Sequence, residues 1–156
     1  MPDLTTREDT MIDTILVAVD GSEHSRRALE WACDMAPRYD ARLHVLHVPQ
    51  AVGHDKTLVL GGAAISVKTS NEDVEKAGHD VIEAARRIAA DHAIREMTTE
   101  VGSGDPARRI VECAERLDAD LIVMGRRGLT NFGGLLMGSV THKVGHLAPC
   151  ACMTVR

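Results

Sequence analysis

The sequence predicts an α/β fold, a single-domain open parallel sheet of five strands with helices on both faces. Short runs rich in Val, Ile and Leu alternate with longer stretches of helical period, which is typical of βαβ units. The first and fourth strand runs are apolar almost throughout, as expected for strands covered on both faces. The chain has 156 residues, the size of one domain. We expect residues 1–12 to be a short polar extension and residues 13–156 to form the domain.

The first half of the chain predicts two strands around a helix, followed by a long connection. Residues 14–20 are a nearly continuous apolar run and are predicted to be the first strand. Ser22 is a suitable N-cap for the helix that follows, and residues 42–48 form the second predicted strand. Residues 49–69 show no clear period and contain three glycines, so we interpret them as a long connection with room for a short element.

The second half of the chain predicts three more helices and three more strands. Ser70 and Asp73 form a capping-box pattern at the start of the longest helix. Asp105 suits the cap of the next helix and Pro106 its first turn. The predicted strands are residues 96–101, 120–124 and 150–155, and the last helix covers residues 139–147.

Composition argues against nucleic acid and membrane as partners. The formal net charge is −5 and only 2% of the residues are aromatic, whereas nucleic-acid binders carry a basic face and aromatic stacking platforms. No apolar run reaches the roughly 18 to 20 residues that span a bilayer. The N-terminus is polar and lacks the apolar region of a secretory signal. We therefore expect a cytoplasmic protein with reduced thiols.

Two predicted loops carry unusual residues after their strands. In an open parallel sheet, ligands bind outside the carboxyl ends of the strands, where the strand order reverses. Asp20 and Gly21 follow the first predicted strand, and the loop that begins at Gly125 follows the fourth. We expect a binding site between these loops, although Asp20 on its own suits a simple Asp-Gly turn and helix cap.

The run from Gly125 to Ser139 has the chemistry of a phosphate site. Glycines let backbone amides approach a ligand, and a helix that begins at Gly138 and Ser139 supplies free N–H groups and a partial positive charge. Ser139 and Thr141 are expected to add hydroxyl donors. The spacing is not that of a P-loop or of a dinucleotide fingerprint. The alternative is that these glycines only shape a tight βα loop.

Charged residues near this run do not enter the predicted site. Arg126 and Arg127 are adjacent on a loop, where charged side chains usually form a solvated surface. His142 and His146 lack the glutamate of a catalytic zinc motif and are expected to lie on the surface. No residue is marked as a dedicated base for phosphoryl transfer, so no catalytic residue is predicted.

Strand alternation argues against metal or redox pairs elsewhere in the sequence. His44 and His47 lie three apart on a strand and point to opposite faces, so they do not share a ligand. We applied the same alternation to Cys150 and Cys152 and expect no chelating or redox pair there. No metal ligand is therefore predicted.

The chain resembles the universal stress protein family, specifically its ATP-binding branch. That branch has Gly, two residues, Gly, nine residues, then Gly followed by Ser or Thr, and Gly125, Gly128, Gly138 and Ser139 match it without a gap. The resemblance extends from ILVAVDGS at the first strand through LHV of the second and ADLIVMG of the fourth to the final strand.

The resemblance implies a Rossmann-like fold of the adenine nucleotide alpha hydrolase type, with strand order 3-2-1-4-5. It also implies that residues 13–156 form a domain that binds ATP, with AMP as the alternative and Mg²⁺ as a companion of the phosphates. Asp20 is expected near the nucleoside, and Val48 is expected to give backbone contacts to adenine. The implied nucleotide-binding residues are Ala18, Val19, Asp20, Val48, Met124, Gly125, Gly128, Gly138, Ser139 and Val140, and Thr141 joins them as the hydroxyl donor expected above.

The family further implies a homodimer formed through the fifth strand. Residues 150–155 fit this expectation, because they would otherwise be an uncharged exposed edge. The expected function is that of a stress-response regulator or nucleotide sensor. A slow ATPase or phosphotransferase and a nucleotide-independent dimeric interaction protein remain as alternatives.

Overall fold

The computed structural model has a central sheet of five parallel strands. Helices cover both faces of this sheet. The structure describes residues 11–50, 56–60, 63–67, 71–129 and 137–156. The helices and strands of these ranges are β1 (Thr14–Val19), α1 (Glu23–Tyr39), β2 (Arg42–His47), β3 (Lys56–Leu60), β4 (Ala63–Val67), α2 (Asn71–Asp91), β5 (Met97–Val101), α3 (Pro106–Leu117), β6 (Leu121–Gly125), α4 (Ser139–Leu147) and β7 (Ala151–Val155).

The strand order of the central sheet is β5-β2-β1-β6-β7, and all its neighbouring strands run parallel. Counted along the five strands of this sheet alone, the order is 3-2-1-4-5, which confirms the prediction. The strand order reverses between β1 and β6. The chain that follows β1 therefore leads to a different helix, α1, from the chain that follows β6, which leads to α4. This point is where open α/β sheets bind their ligands.

The long connection after β2 contains more structure than the sequence analysis predicts. Strands β3 and β4 pair in an antiparallel two-stranded sheet, with Leu58 opposite Ile65. The sequence carries a signal for it, because two glycines separate two short runs rich in apolar residues, as in many β-hairpins. We interpreted these glycines as part of a loop. The capping residue Ser70 and most of the predicted N-terminal extension lie outside the described residues.

Alternate residues of the central strands are buried in two separate apolar layers, one on each face of the sheet. Ile15 and Val17 of β1 pack with α1 and α2 in one layer, and Leu16 packs with α3 and α4 in the other. Each of these three side chains is fully buried. The helices therefore cover both faces of the sheet, as predicted. Among the described helices, none has the length and apolarity that a bilayer crossing requires.

Side-chain caps begin α1 and α3 where the sequence predicts them. Ser22 Oγ accepts a hydrogen bond from the Ser25 N–H at 3.2 Å, and Asp105 Oδ1 accepts one from the Arg108 N–H at 2.9 Å. Pro106 follows Asp105 as the first residue of α3 and lacks the N–H that would otherwise need a partner there. These caps confirm the predicted starts of both helices.

The four cysteines are free thiols. Cys33 and Cys113 are buried, and burial raises the pKa of Cys33 to about 11. Cys150 and Cys152 both pack against the α3 and α4 layer. Our use of strand alternation to separate these two was wrong, because residues two apart on a strand share a face.

The Asp105 cap yields a prediction for stability. Asp105→Ala should lower the free energy of unfolding by about 1 kcal/mol, because the Arg108 N–H loses its acceptor. Urea unfolding measures this change. Asp34→Ala is the control: its exposed carboxylate pairs with Arg38 at 3.2 Å, so its loss should stay within about 0.5 kcal/mol. Equal losses in the two variants would contradict the role of the cap.

Candidate functional site

A cavity of about 320 Å³ opens at the carboxyl ends of β1, β2 and β6, beside the N-terminus of α4. Its volume lies within the range of roughly 300 to 1,000 Å³ that is usual for small-molecule sites. All the residues that the family resemblance implies for a nucleotide site line this one cavity: Ala18, Val19, Asp20, Val48, Met124, Gly125, Gly128, Gly138, Ser139, Val140 and Thr141.

The sequence analysis missed several residues that line the same cavity. Arg127 is among them, although we had assigned it to a solvated surface. Leu46 and Ile110 looked like ordinary core positions, and apolar periodicity alone does not show which core residues border a cavity. Proximity to the glycine-rich run was the available signal for Arg127. The further lining residues are Ser25, Leu46, Gln50, Pro106, Ile110, Arg127 and Met137.

The carboxylate of Asp20 joins the two loops that form the cavity. Asp20 Oδ1 accepts a hydrogen bond from the Ser22 N–H at 2.9 Å, which is the local turn that the sequence suggests. Asp20 Oδ2 accepts a second hydrogen bond, from the Leu129 N–H at 3.0 Å, in the loop after β6. One side chain therefore holds loops that are 109 residues apart in sequence.

Two of the motif glycines are required by the packing of the protein on itself. A Cβ on Gly128 would lie 2.5 Å from Asp20 Oδ2, and a Cβ on Gly125 would lie 2.8 Å from the His24 carbonyl carbon. The Gly125 contact is with the backbone of α1, so packing alone explains this glycine. The Gly128 contact is with the end of the Asp20 side chain, which would have to leave its hydrogen bond to the Leu129 N–H to make room. Gly138 differs, since a Cβ there would have nothing nearer than 3.5 Å.

The N-terminus of α4 borders the cavity without a side-chain cap. Gly138 is its N-cap residue, and the Gly138 N–H donates to the Arg126 carbonyl at 2.8 Å. The first turn of a helix leaves N–H groups without partners inside the helix and carries a partial positive charge. Ser139, the first residue of α4, is exposed and lines the cavity. This end of the cavity suits an anion.

Thr141 has a different role from the one that we expected. Its Oγ1 donates a hydrogen bond to the Gly125 carbonyl at 2.9 Å, and the residue is buried. Its hydroxyl proton therefore ties α4 to the end of β6. Thr141 lines the cavity, but the expectation that its hydroxyl would donate to a ligand does not match this geometry.

The charges around the cavity are one carboxylate and one guanidinium. Among the described residues that line it, Asp20 is the only acid and Arg127 the only strong base. The Arg127 Nε is buried without a hydrogen-bond partner. An unpaired buried donor carries a desolvation cost that a bound anion would relieve.

His47 connects the ends of β1 and β2 beside the cavity. Its Nδ1 lies 2.8 Å from the Val19 carbonyl oxygen. Because a carbonyl only accepts, Nδ1 carries the proton of the neutral imidazole. His47 faces Gly78 of α2, whereas His44 lies near Cys113 of α3, so the predicted separation of the two histidines onto opposite faces is confirmed.

Comparisons with known proteins match nearly the whole chain. The model of the universal stress protein family matches residues 11–156. Universal stress protein YxiE of Bacillus subtilis (strain 168) is 32% identical over 149 residues, which cover 94% of this chain and 100% of that protein.

Two solved structures share the fold over a similar length. Universal stress protein UspA from Lactobacillus plantarum has a TM-score of 0.75 at 25% identity, over 93% of this chain and 98% of the other. A universal stress protein in complex with cAMP has a TM-score of 0.69 at 25% identity, over 94% of this chain and 98% of the other.

The contacts of the motif glycines predict two different effects of the same substitution. Gly125→Ala should lower the free energy of unfolding by about 1 to 3 kcal/mol, because its methyl group overlaps the backbone of α1. Gly138→Ala should change it by less than about 1 kcal/mol, because a poorer N-cap is offset by lower entropy of the unfolded chain. Thermal and urea unfolding measure both. A Gly125→Ala protein as stable as Gly138→Ala would refute the packing explanation.

Proposed function

The chain belongs to the universal stress protein family, and from this premise we propose that it binds an adenine nucleotide, ATP in particular, in the cavity between β1, β2, β6 and α4. The observation that carries the proposal is that residues from five separate segments, implied by a sequence motif and its family, line one cavity of suitable size. A solved relative of 25% identity was crystallised with cAMP, which supports an adenine nucleotide as the ligand.

The apolar part of the cavity suits the adenine base. Met124 and Val48 are 3% and 6% exposed, and Leu46, Ile110 and Ala18 complete an apolar wall. A flat, largely apolar purine gains free energy when such a wall removes it from water. We propose that the base lies here and that backbone groups at Val48 recognise its edge.

Asp20 is proposed to lie at the ribose. Each carboxylate oxygen has two acceptor positions, and the N–H groups of Ser22 and Leu129 use one on each oxygen. Acceptor capacity therefore remains for a ribose hydroxyl. Because Asp20 also holds both loops, a ligand that adds a hydrogen bond to it would stabilise the closed arrangement of the cavity.

The phosphates are proposed to lie at the N-terminus of α4. Free N–H groups of the first turn, the hydroxyl of Ser139 and the guanidinium of Arg127 form the anion-binding end of the site. Asp20 is the only carboxylate among the described lining residues and already accepts two main-chain hydrogen bonds. Any accompanying Mg²⁺ would therefore be coordinated mainly by phosphate oxygens and water.

The site supports binding more than turnover. Phosphoryl transfer to water needs a group that positions or deprotonates the nucleophile. Among the described lining residues, Asp20 is the one carboxylate; we propose it at the nucleoside end, and it already accepts hydrogen bonds from two loops. We propose a nucleotide-responsive stress regulator. Its buried thiols, Cys33 and Cys113, suit the reducing environment of the cytoplasm.

The Gly138→Asp variant is expected to weaken nucleotide binding without destabilising the fold. Its backbone angles, φ −68° and ψ 153°, suit an aspartate N-cap, so the fold should be as stable or more stable. A carboxylate at about 4 Å from a phosphate costs between about 1 and 4 kcal/mol, depending on the local dielectric. We therefore expect ATP and AMP to bind about tenfold more weakly or worse. Isothermal titration calorimetry measures these affinities.

Two controls accompany this variant. Gly138→Asn has nearly the same shape without the charge and should lose much less affinity for ATP. Adenosine lacks phosphate, so its affinity should be the same in wild type and Gly138→Asp. Absence of binding of ATP, AMP and cAMP by the wild-type protein would overturn the proposal and favour a nucleotide-independent interaction protein. Equal weakening of ATP and adenosine would place the phosphates elsewhere.

We also propose that the protein forms a homodimer through β7, which lies at one edge of the sheet. The Arg126 N–H donates to the Val155 carbonyl at 2.7 Å, so Val155 turns its backbone toward β6. Backbone groups alternate along a strand, so Thr154 turns its N–H to the open edge. Such an edge is a template for pairing with another chain.

Thr154→Pro should convert the proposed dimer to a monomer. Proline removes the N–H that faces the edge, and edge positions tolerate this change within the sheet of the same chain. Thr154→Val keeps the N–H and should remain dimeric. Sedimentation equilibrium distinguishes the two species. A wild-type monomer, or a Thr154→Pro dimer of unchanged affinity, would exclude this interface.

A further inference from the structure

A cluster of three potential metal ligands lies away from the nucleotide cavity. It joins His44 of β2, Glu100 of β5 and Cys113 of α3, and one ligand atom from each lies within 4.8 Å of the other two. His44 and Cys113 are only 8% and 3% exposed. None of the three residues lines the cavity between β1 and β6.

His44 directs an unpaired nitrogen into this cluster. Its Nδ1 lies 2.6 Å from Thr98 Oγ1, and Thr98 Oγ1 itself donates to the Leu43 carbonyl at 3.4 Å. The tautomer that a metal ligand requires is the one in which Nδ1–H donates to Thr98 Oγ1 and the Nε2 of the neutral ring is left as an acceptor. That Nε2 is buried, has no hydrogen-bond partner and lies 3.6 Å from Glu100 Oε2.

His44 Nε2 lacks a hydrogen-bond partner in this cluster, whereas Glu100 Oε2 already accepts from Arg116. A neutral Nε2 and a carboxylate oxygen do not hydrogen-bond, and a buried acceptor without a partner is costly. A metal ion would satisfy the nitrogen, the carboxylate and the nearby sulfur at once.

We propose that His44 Nε2, the Glu100 carboxylate and Cys113 Sγ bind a divalent transition metal ion of the zinc class. Imidazole, carboxylate and thiolate are the ligand types that zinc uses in proteins, and tetrahedral geometry places neighbouring ligand atoms about 3.3 to 3.7 Å apart. The distance of 3.6 Å between His44 Nε2 and Glu100 Oε2 already fits. Water takes the fourth position.

The ring orientation of His44 also fits a metal ligand. Histidines that bind metals commonly donate their other ring nitrogen to a protein oxygen, which fixes the tautomer and orients the ring. Thr98 Oγ1 is that oxygen here. The cysteine enters as a thiol, forms the bond from sulfur to metal, and releases its proton to water.

In the structure without a metal ion, the guanidinium of Arg116 provides the positive charge beside two of the proposed ligands. Its Nη2 donates to Cys113 Sγ at 3.4 Å and to Glu100 Oε2 as well. The Arg116 side chain is 55% exposed, so it has room to leave toward solvent. The metal and this guanidinium therefore compete for the same two ligands. A second guanidinium, that of Arg109, lies 3.5 Å from the other Glu100 oxygen and also pairs with Glu112 at 2.9 Å.

Titration of the purified full chain with Zn²⁺ and with Co²⁺ tests the proposal. We expect one ion per chain by calorimetry, and a thiolate-to-cobalt charge-transfer band in the near ultraviolet. Cys113→Ser should abolish that band, whereas Cys152→Ser should keep it. Absence of binding, or a band that follows Cys152 instead of Cys113, would overturn the site. Nucleotide titration is a separate measurement, so failure of either proposal leaves the other standing.

Variants around the cluster distinguish metal ligation from a plain ion-pair network. His44→Gln and Glu100→Gln should weaken Zn²⁺ binding, and Thr98→Val should weaken it by roughly 10- to 100-fold through loss of the orienting bond. Arg116→Ala should tighten binding, because it removes the competing charge at a position too exposed to endanger folding. Circular dichroism and melting temperature establish that each variant is folded. Zn²⁺ affinity that is unchanged or weaker in Arg116→Ala would contradict the competition and, with it, the site.

Discussion

The structure of the binding cavity depends on the two hydrogen bonds of the Asp20 carboxylate. They fix the loop after β1 against the loop after β6, at the place where the strand order reverses. A reversal of strand order opens a gap, because the two crossovers leave toward opposite faces of the sheet. The gap has a defined shape only if a contact fixes the two loops on its sides relative to each other. Asp20 does so, and the lack of a side chain at Gly128 leaves room for its carboxylate, since a Cβ there would lie 2.5 Å from Asp20 Oδ2.

Strand β2 and helix α3 connect this cavity with the proposed metal site. Leu46 of β2 and Ile110 of α3 border the cavity, while His44 and Cys113 lie on the same two elements a short distance further along. Residues two apart on a strand share a face, and residues three apart on a helix are neighbours. The position of α3 over the sheet therefore sets the geometry of both sites.

Much of the fold follows from local pattern, whereas contacts between distant segments do not. Short strand-like runs predicted the five sheet strands, and Ser22 and Asp105 predicted two helix starts, because these signals act within a few residues. The β3-β4 hairpin was missed because its two glycines also suit a loop. The bond from Thr141 to Gly125, the hydrogen bond from Leu129 to Asp20 and the approach of His44 to Cys113 join separate elements. No periodicity records such pairs, so only the packed structure reveals them.

The glycine motif combines two physical requirements that a sequence pattern does not separate. Gly125 and Gly128 are needed by the protein itself, since a side chain at either would collide with α1 or with Asp20. Gly138 has no such conflict, and its backbone angles suit any residue. Packing therefore gives no reason for glycine at the third position, although the better side-chain N-caps, Ser, Asp and Asn, would have stabilised α4. A bare N-cap beside an otherwise complete cavity is explained if that space belongs to a bound anion, so Gly138 is the motif position that argues most directly for a ligand.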